Sequence, residues 1–275
     1  MDIKYSVDMV RLLVRLRPGE FQTIFDYQAR MPDISYYMSN RVKDYHYNIV
    51  VKKEKYSYWM GYKHNGNLDN CDFVLEYNPN KVRNDILVDY VLNNYFNKVT
   101  CYDIRYSPRV CTVDIAVDLV GVNILNCLLF KQTKGRYLFY SGSTGRADDF
   151  TIYIGKGPGR VKLYNKALES GLSYDLTRYE VSLKIDKTLQ HIRNVKIDVD
   201  TKPVLKIIDK QLGMDAETRA TLNGFLQEPY LINQLTKYKR KKYREMIDNC
   251  VDFKLDNKEI ERVIIEYVDN NMDLF

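Results

Sequence analysis

The stretch CTVDIAVDL, residues 111–119, limits the fold more than any other part of the chain. Apolar residues fall at every second position. Extended backbone therefore puts Val113, Ile115, Val117 and Leu119 on one face and Asp114, Ala116 and Asp118 on the other. The same period recurs in YSVDMVRLLVRL, YHYNIVVKKEKYSYWMGY, CDFVLEYNPNKV, DFTIYIG, RVKLYN and LTRYEVSLK, with HNGNLDN and Asn78-Pro79-Asn80 as turn-forming breaks. NDILVDYVLNNYF departs from it. Ile86, Leu87, Tyr90 and Val91 stand at helical spacing there, and Asn84 is placed to cap the helix. Strands interrupted by isolated helices predict an α+β fold with a mainly antiparallel sheet and flanking helices.

From about residue 200 the texture changes. KPVLKIIDKQLG reads as a helix with Pro203 near its start and Gly213 as its stop. EPYLINQLTKYKRKKYREMI and DNKEIERVIIEYV carry apolar residues at helical spacing, the second with Asp256 and Glu259 as a capping-box pair. The expected organisation is a first part, 1–200, followed by a C-terminal helical region, 201–275. No internal repeat or low-complexity tract is present.

Composition excludes several classes. No apolar run approaches the roughly 20 residues of a membrane-spanning helix, and MDIKYSVDMV has no long apolar stretch of the signal-peptide kind. The five cysteines, Cys71, Cys101, Cys111, Cys127 and Cys250, are odd in number and contain no CxxC pair. That fits a reducing, cytoplasmic setting better than a disulfide scaffold or a cysteine zinc site. His46, His64 and His191 form no metal-ligand spacing. A net charge of +6 permits a polyanionic partner if the charge is clustered.

Two aspartates on the small-residue face of an apolar strand are costly if buried without a cation. FVLEYN adds Glu76 within a second strand, and TRYEVSLK adds Glu180 within a third, with Arg178 on the same face. Three strands that each present a carboxylate can build an all-oxygen site, which suits Mg²⁺ or Mn²⁺. Four residues of strand span roughly 13 Å, so Asp114 and Asp118 cannot share one ion without a bulge. Spacing does not choose between them.

RVKLYNKALE, residues 160–169, places Tyr164 at a strand-to-helix junction between Lys162 and Lys166. A phenol with a pKa near ~10 is a poor nucleophile at neutral pH. It becomes useful when cations or a metal stabilise the phenolate and the electrophile is held in line.

EYNPNK (76–81), VDIAVDL (113–119), KLYNKALE (162–169) and TRYEVSLK (177–184), in this order, resemble the Rep_trans family, the replication initiators of Gram-positive rolling-circle plasmids. The N-terminal YSVDMVRLLVRL and the basic LTKYKRKKYREMI also look like their counterparts, so the likeness covers nearly the whole chain. It implies that Tyr164 attacks one strand of a plasmid double-strand origin, leaving a 5′-phosphotyrosyl link and a free 3′-hydroxyl primer. It also implies a metal held by Glu76, Asp114 and Glu180, with Asp118 ranked lower. Lys166 would lend electrostatic help, and Lys162 and Arg178 would meet the DNA. One departure is GKGPGR, shorter than the family's segment before the tyrosine and read here as a tight turn around Pro158.

KYKRKKYR, 237–244, places six basic residues among eight. A helix sets Lys237, Arg240, Lys241 and Arg244 along one flank, with Lys239 and Lys242 beside it, an arrangement suited to phosphates. The resemblance makes this an origin-recognition element, and it implies a homodimer and a host superfamily-one DNA helicase as partners. Two other readings stand beside the initiator. One is a relaxase or phage nickase using the same chemistry, though many of those carry an added N-terminal helix-turn-helix where this chain opens on strand pattern. The other is an origin-binding protein without catalysis.

Overall fold

The alternation along 111–119 is a strand in the computed structural model, which describes residues 2–16, 18–30, 35–38, 45–53, 56–64, 71–82, 85–96, 107–130, 136–199, 204–208 and 215–271. The first elements are β1 (Asp2–Leu16), α1 (Pro18–Ala29), β2 (Ser35–Met38), β3 (Tyr47–Lys53), β4 (Tyr56–His64) and β5 (Cys71–Tyr77). Next come α2 (Ile86–Val91), β6 (Arg109–Val120), β7 (Cys127–Phe130), β8 (Tyr137–Ser141), β9 (Phe150–Ile154) and β10 (Val161–Asn165). The chain continues with α3 (Lys166–Ser170), β11 (Leu176–Thr188), β12 (Val204–Ile207), α4 (Ala216–Gln227), α5 (Lys237–Asp248), β13 (Val251–Phe253) and α6 (Asn257–Asn271). The fold is α+β. Ten strands run β2-β3-β4-β5-β1-β6-β11-β10-β9-β8 in one sheet, and β13-β12-β7 form a second. Every pairing whose register is described is antiparallel.

The chain divides into two compact units that interleave along the sequence. One comprises Met1–Tyr5, Ala116–Val181 and Asp198–Asn257; the other comprises Ser6–Ile115, Ser182–Ile197 and Lys258–Phe275. The expected catalytic and helical parts were consecutive, 1–200 and 201–275, whereas these units each draw on three stretches.

In the first unit, Val117, Leu119, Ile152, Ile154, Val161, Leu163, Tyr179 and Val181 are buried, as strand alternation requires. Val204–Ile207, read in the sequence as part of a helix, form instead the strand β12. It pairs on one side with β7, Leu205 opposite Leu129, and on the other with β13, Leu205 opposite Phe253. Leu205 is buried there, and two partner strands satisfy a backbone that a short helix would leave half capped. Gly213, the expected stop, lies outside the described residues. Leu128, Ile208, Leu222 and Cys250 form a core against which Tyr243, Met246 and Ile247 of α5 pack.

In the second unit, Leu12, Phe73, Leu75 and Ile115 are fully buried, and the Tyr77 and Tyr267 hydroxyls meet at 2.5 Å. Asp85, rather than Asn84, caps α2, accepting from the backbone N–H groups of Leu87 and Val88. Asn84 itself lies outside the described residues. Burial works against the Asp85 charge. Lys53, Tyr56 and the Val88 N–H outweigh it and hold the carboxyl below its ordinary range.

Candidate active site

The local sequence fixes where Tyr164 stands. Val161 and Leu163 turn to the buried side of β10, which leaves Lys162 and Tyr164 on the opposite face. The strand ends at Asn165, whose Oδ1 accepts the Leu168 N–H at 3.0 Å and caps α3. Gly171, at φ 64°, closes that short helix in the left-handed region where glycine is at ease. Asn165 Nδ2 also donates to Asp148 Oδ2 at 2.9 Å, and Arg146 holds Asp148 through Nε and Nη2 at 2.9 and 2.8 Å. The Arg146 hydrogen bond keeps the Asp148 carboxyl below its ordinary range against its burial, and Asn165 adds to this. Asp148 and Asn165 were not among the residues expected to matter. The signal for Asn165 lay in the sequence, as an N-cap type directly before KALE.

Tyr164 donates its hydroxyl proton to Glu180 Oε1 at 2.7 Å. Lys162 lies opposite Glu180 in the register and Tyr164 opposite Arg178. Lys162 Nζ stands 3.8 Å from the Tyr164 ring centroid and 3.4 Å from Glu180 Oε2. One ammonium thus serves both the ring face and the carboxylate, a cation–π contact worth about 0.5–2 kcal/mol. Lys166 reaches the same ring from the start of α3, 6.0 Å from its centroid, and pairs with Glu169 at 2.7 Å. Arg178 forks onto Asp118 at 2.6 and 2.8 Å. Tyr164 and Glu180 are each only 7% exposed. Burial first, and then the Glu180 charge, push the Tyr164 phenol well above its ordinary range, with Arg178 opposing. The group at rest is a protonated phenol with a proton acceptor already attached.

The expected carboxylate set is distributed. Glu180 and Asp118 stand in the unit that holds Tyr164; Glu76 and Asp114 stand in the other. Glu76 on β5 lies opposite Arg11 on β1 and accepts from its Nε at 2.6 Å, while Asp114 is half-buried on β6. Among the described residues, no group of three or more histidine, cysteine, aspartate or glutamate side chains is placed to hold a metal ion. Oxygen donors are the right chemistry for Mg²⁺ or Mn²⁺. Yet Glu76 and Asp118 are each closed by an arginine, and Glu180 is shared by Tyr164 and Lys162. As they stand, the carboxylates of neither unit fit such an ion.

The basic stretch is the helix α5, as the spacing predicts. Lys237, Lys239, Lys241, Lys242 and Arg244 are exposed, and Tyr238 is 79% exposed. The opposite side packs inward, with Tyr243 meeting Phe225 edge-on at 5.2 Å. Arg240 donates to the carbonyls of Asn233 and Leu235 at 2.8 and 3.1 Å, and Arg244 to Asn233 Oδ1 at 3.2 Å. These two arginines therefore anchor the helix to the segment before it. Lysines make up most of the open basic surface.

No family model and no curated protein matches the chain. Among solved structures it is similar to a rolling circle replication initiator protein from Geobacillus stearothermophilus, with 13% identity, a TM-score of 0.43, and coverage of 82% of this chain and 97% of that one. Among the described residues, no helix is long and apolar enough to cross a membrane.

Proposed function

We propose that this protein nicks one strand of DNA through Tyr164, as the initiator of rolling-circle replication of a plasmid. One observation carries the reading: the Tyr164 hydroxyl already donates to Glu180, and its ring has the Lys162 and Lys166 ammoniums 3.8 and 6.0 Å from its centroid. A phenol that must act near neutral pH needs a base for its proton and cations for the charge that develops. The motifs around Tyr164 and Glu180, in the order seen in the Rep_trans family, support the same reading.

The chemistry balances with residues of this chain. As the Tyr164 oxygen attacks the phosphorus, its proton passes to Glu180. The new tyrosyl O–P bond forms while the bond from phosphorus to the 3′-oxygen breaks. The departing 3′-oxygen takes up a proton relayed from Glu180 through solvent, leaving a 3′-hydroxyl primer, and the 5′-phosphate stays on the protein. Lys162, freed from the ring by the incoming phosphate, offsets charge on its oxygens. A divalent ion, Mg²⁺ or Mn²⁺, is suggested by the strand carboxylates of the sequence and by the resemblance. The resemblance also supplies the proposed partners: the double-strand origin, a host superfamily-one helicase and a second copy of this chain. The lysines of α5 would hold duplex phosphates.

The test is incubation with supercoiled origin plasmid. Wild-type protein gives nicked circles carrying protein on the 5′ end. Tyr164→Phe removes nicking and leaves DNA binding unchanged, and Glu180→Gln slows nicking by about 10²–10⁴-fold. Normal nicking by Tyr164→Phe refutes the assignment. A second reading, a DNA-binding protein without catalysis, draws on the burial of Tyr164 and its raised pKa. It expects wild-type protein to bind origin DNA and leave it intact.

A further inference from the structure

The sheet face that carries Tyr164 continues past β10 to the end of the sheet. Residues directly paired across antiparallel strands share a face. Lys162 and Tyr164 therefore stand level with Tyr153 and Thr151 on β9, and these with Leu138 and Tyr140 on β8. Phe150, Ile152 and Ile154 bury the opposite side. Over the outer strands runs an open groove of about 470 Å³, lined by Leu138, Tyr140, Thr151 and Tyr153 and, from the β9–β10 turn, by Lys156 and Arg160. Tyr140 is 53% exposed and meets Tyr153 edge-on, with centroids 5.7 Å apart and planes at 88°.

An exposed ring, Tyr140, and a half-buried one, Tyr153, beside cations form a site for a ligand that is flat, apolar on its face and negatively charged at its edge. A nucleotide of single-stranded DNA has this chemistry. Its base stacks on an aromatic ring whatever its identity, and its phosphate seeks lysine and arginine. A duplex keeps its base faces inside the stack and has none to offer. A peptide added to β8 would use the backbone of the sheet edge rather than the rings on its face. The position also fits, because β8 and β10 are two strand spacings apart, roughly 10 Å. DNA lying in the groove therefore has Tyr164 one strand beyond β9 on the same sheet face.

We infer that this groove is a single-strand subsite: a base adjoining the scissile phosphate stacks on Tyr140 and Tyr153 while Lys156 and Arg160 hold its backbone. The inference rests on the proposed function for the identity of its ligand, but its test requires no cleavage. Fluorescence polarisation would follow the full-length protein binding a labelled oligothymidylate of about eight nucleotides, and the same strand made abasic. Tyr140→Ala is expected to weaken oligothymidylate binding about tenfold. Tyr140→Phe, which keeps the ring, should bind like the wild type. Lys156→Ala should reduce the slope of log affinity against log salt by about one. The abasic strand should bind weakly and ignore the Tyr140 substitutions. Oligothymidylate binding by Tyr140→Ala within about twofold of wild type, or equal binding of the abasic strand, overturns the subsite. Neither result depends on nicking. A Tyr164→Phe protein that still nicks would sink the catalytic reading alone, and intact stacking sensitivity would survive it.

Discussion

At the scale of single residues, the site is governed by which charge each carboxylate faces. Asp118 is answered in full by the Arg178 fork, with both side chains mostly buried. Removing one member of such a pair leaves a desolvated charge and costs about 3–5 kcal/mol. Arg178→Ala should therefore bind Mn²⁺ at least about tenfold more tightly than the wild type, because the ion replaces the missing cation. The fall in the free-ion paramagnetic signal on titration would measure this, and unchanged affinity would show that the arginine does not keep the ion out. This balance was only partly legible in the sequence. Alternation placed Arg178 and Glu180 on one face, and the lysines flanking Tyr164 were visible by inspection. The bond from Tyr164 to Glu180 was not, because it depends on the register of two strands that no local pattern specifies.

At the scale of elements, the junction between β10 and α3 holds the nucleophile in place. Asn165→Ala removes the helix cap, about 1 kcal/mol, and releases the Asp148 carboxylate from the strand end. Because small displacements of a reacting group are costly, nicking should drop about tenfold in quantitative plasmid assays while oligothymidylate affinity stays unchanged. The pH behaviour of this clamp has a definite sign. The folded pKa of Asp148 lies below its unfolded value of roughly 3.9, so the stabilisation is complete above that value and is lost as pH falls through the folded one. The clamp is therefore intact at neutral pH. Long alternating strands such as β6 and β11 were legible from their period alone. β12 was not, since a short apolar run serves a strand or a helix equally and only its partners β7 and β13 decide. The outermost strand, β8, escaped notice too, and with it Tyr140. Three of the five residues of YLFYS are aromatic, and it shows no alternation.

At the scale of the whole molecule, the 24 tyrosines make stability sensitive to alkali. Burial raises the phenols of Tyr58, Tyr77, Tyr164, Tyr179 and Tyr267 above their ordinary value. Above pH ~10 these groups ionise in the unfolded chain and stay protonated in the folded one, so the unfolded state binds fewer protons and stability falls as pH rises. Each such group costs about 1.4 kcal/mol per pH unit in that range. The expected result is cooperative unfolding above pH ~10, with the tyrosinate absorbance and the loss of far-ultraviolet dichroism rising together. Tyrosinate absorbance that appears while the dichroism persists would show the rings to be accessible in the native state.

The interleaving of the two units constrains how such a chain can change. Removing everything beyond residue 200 would strip β12, α4, α5 and β13 from one unit and, from the other, the helix that buries Ile260, Ile264 and Val268. Neither unit could be traded for a foreign module by a single recombination event, because each is assembled from three separate stretches of chain.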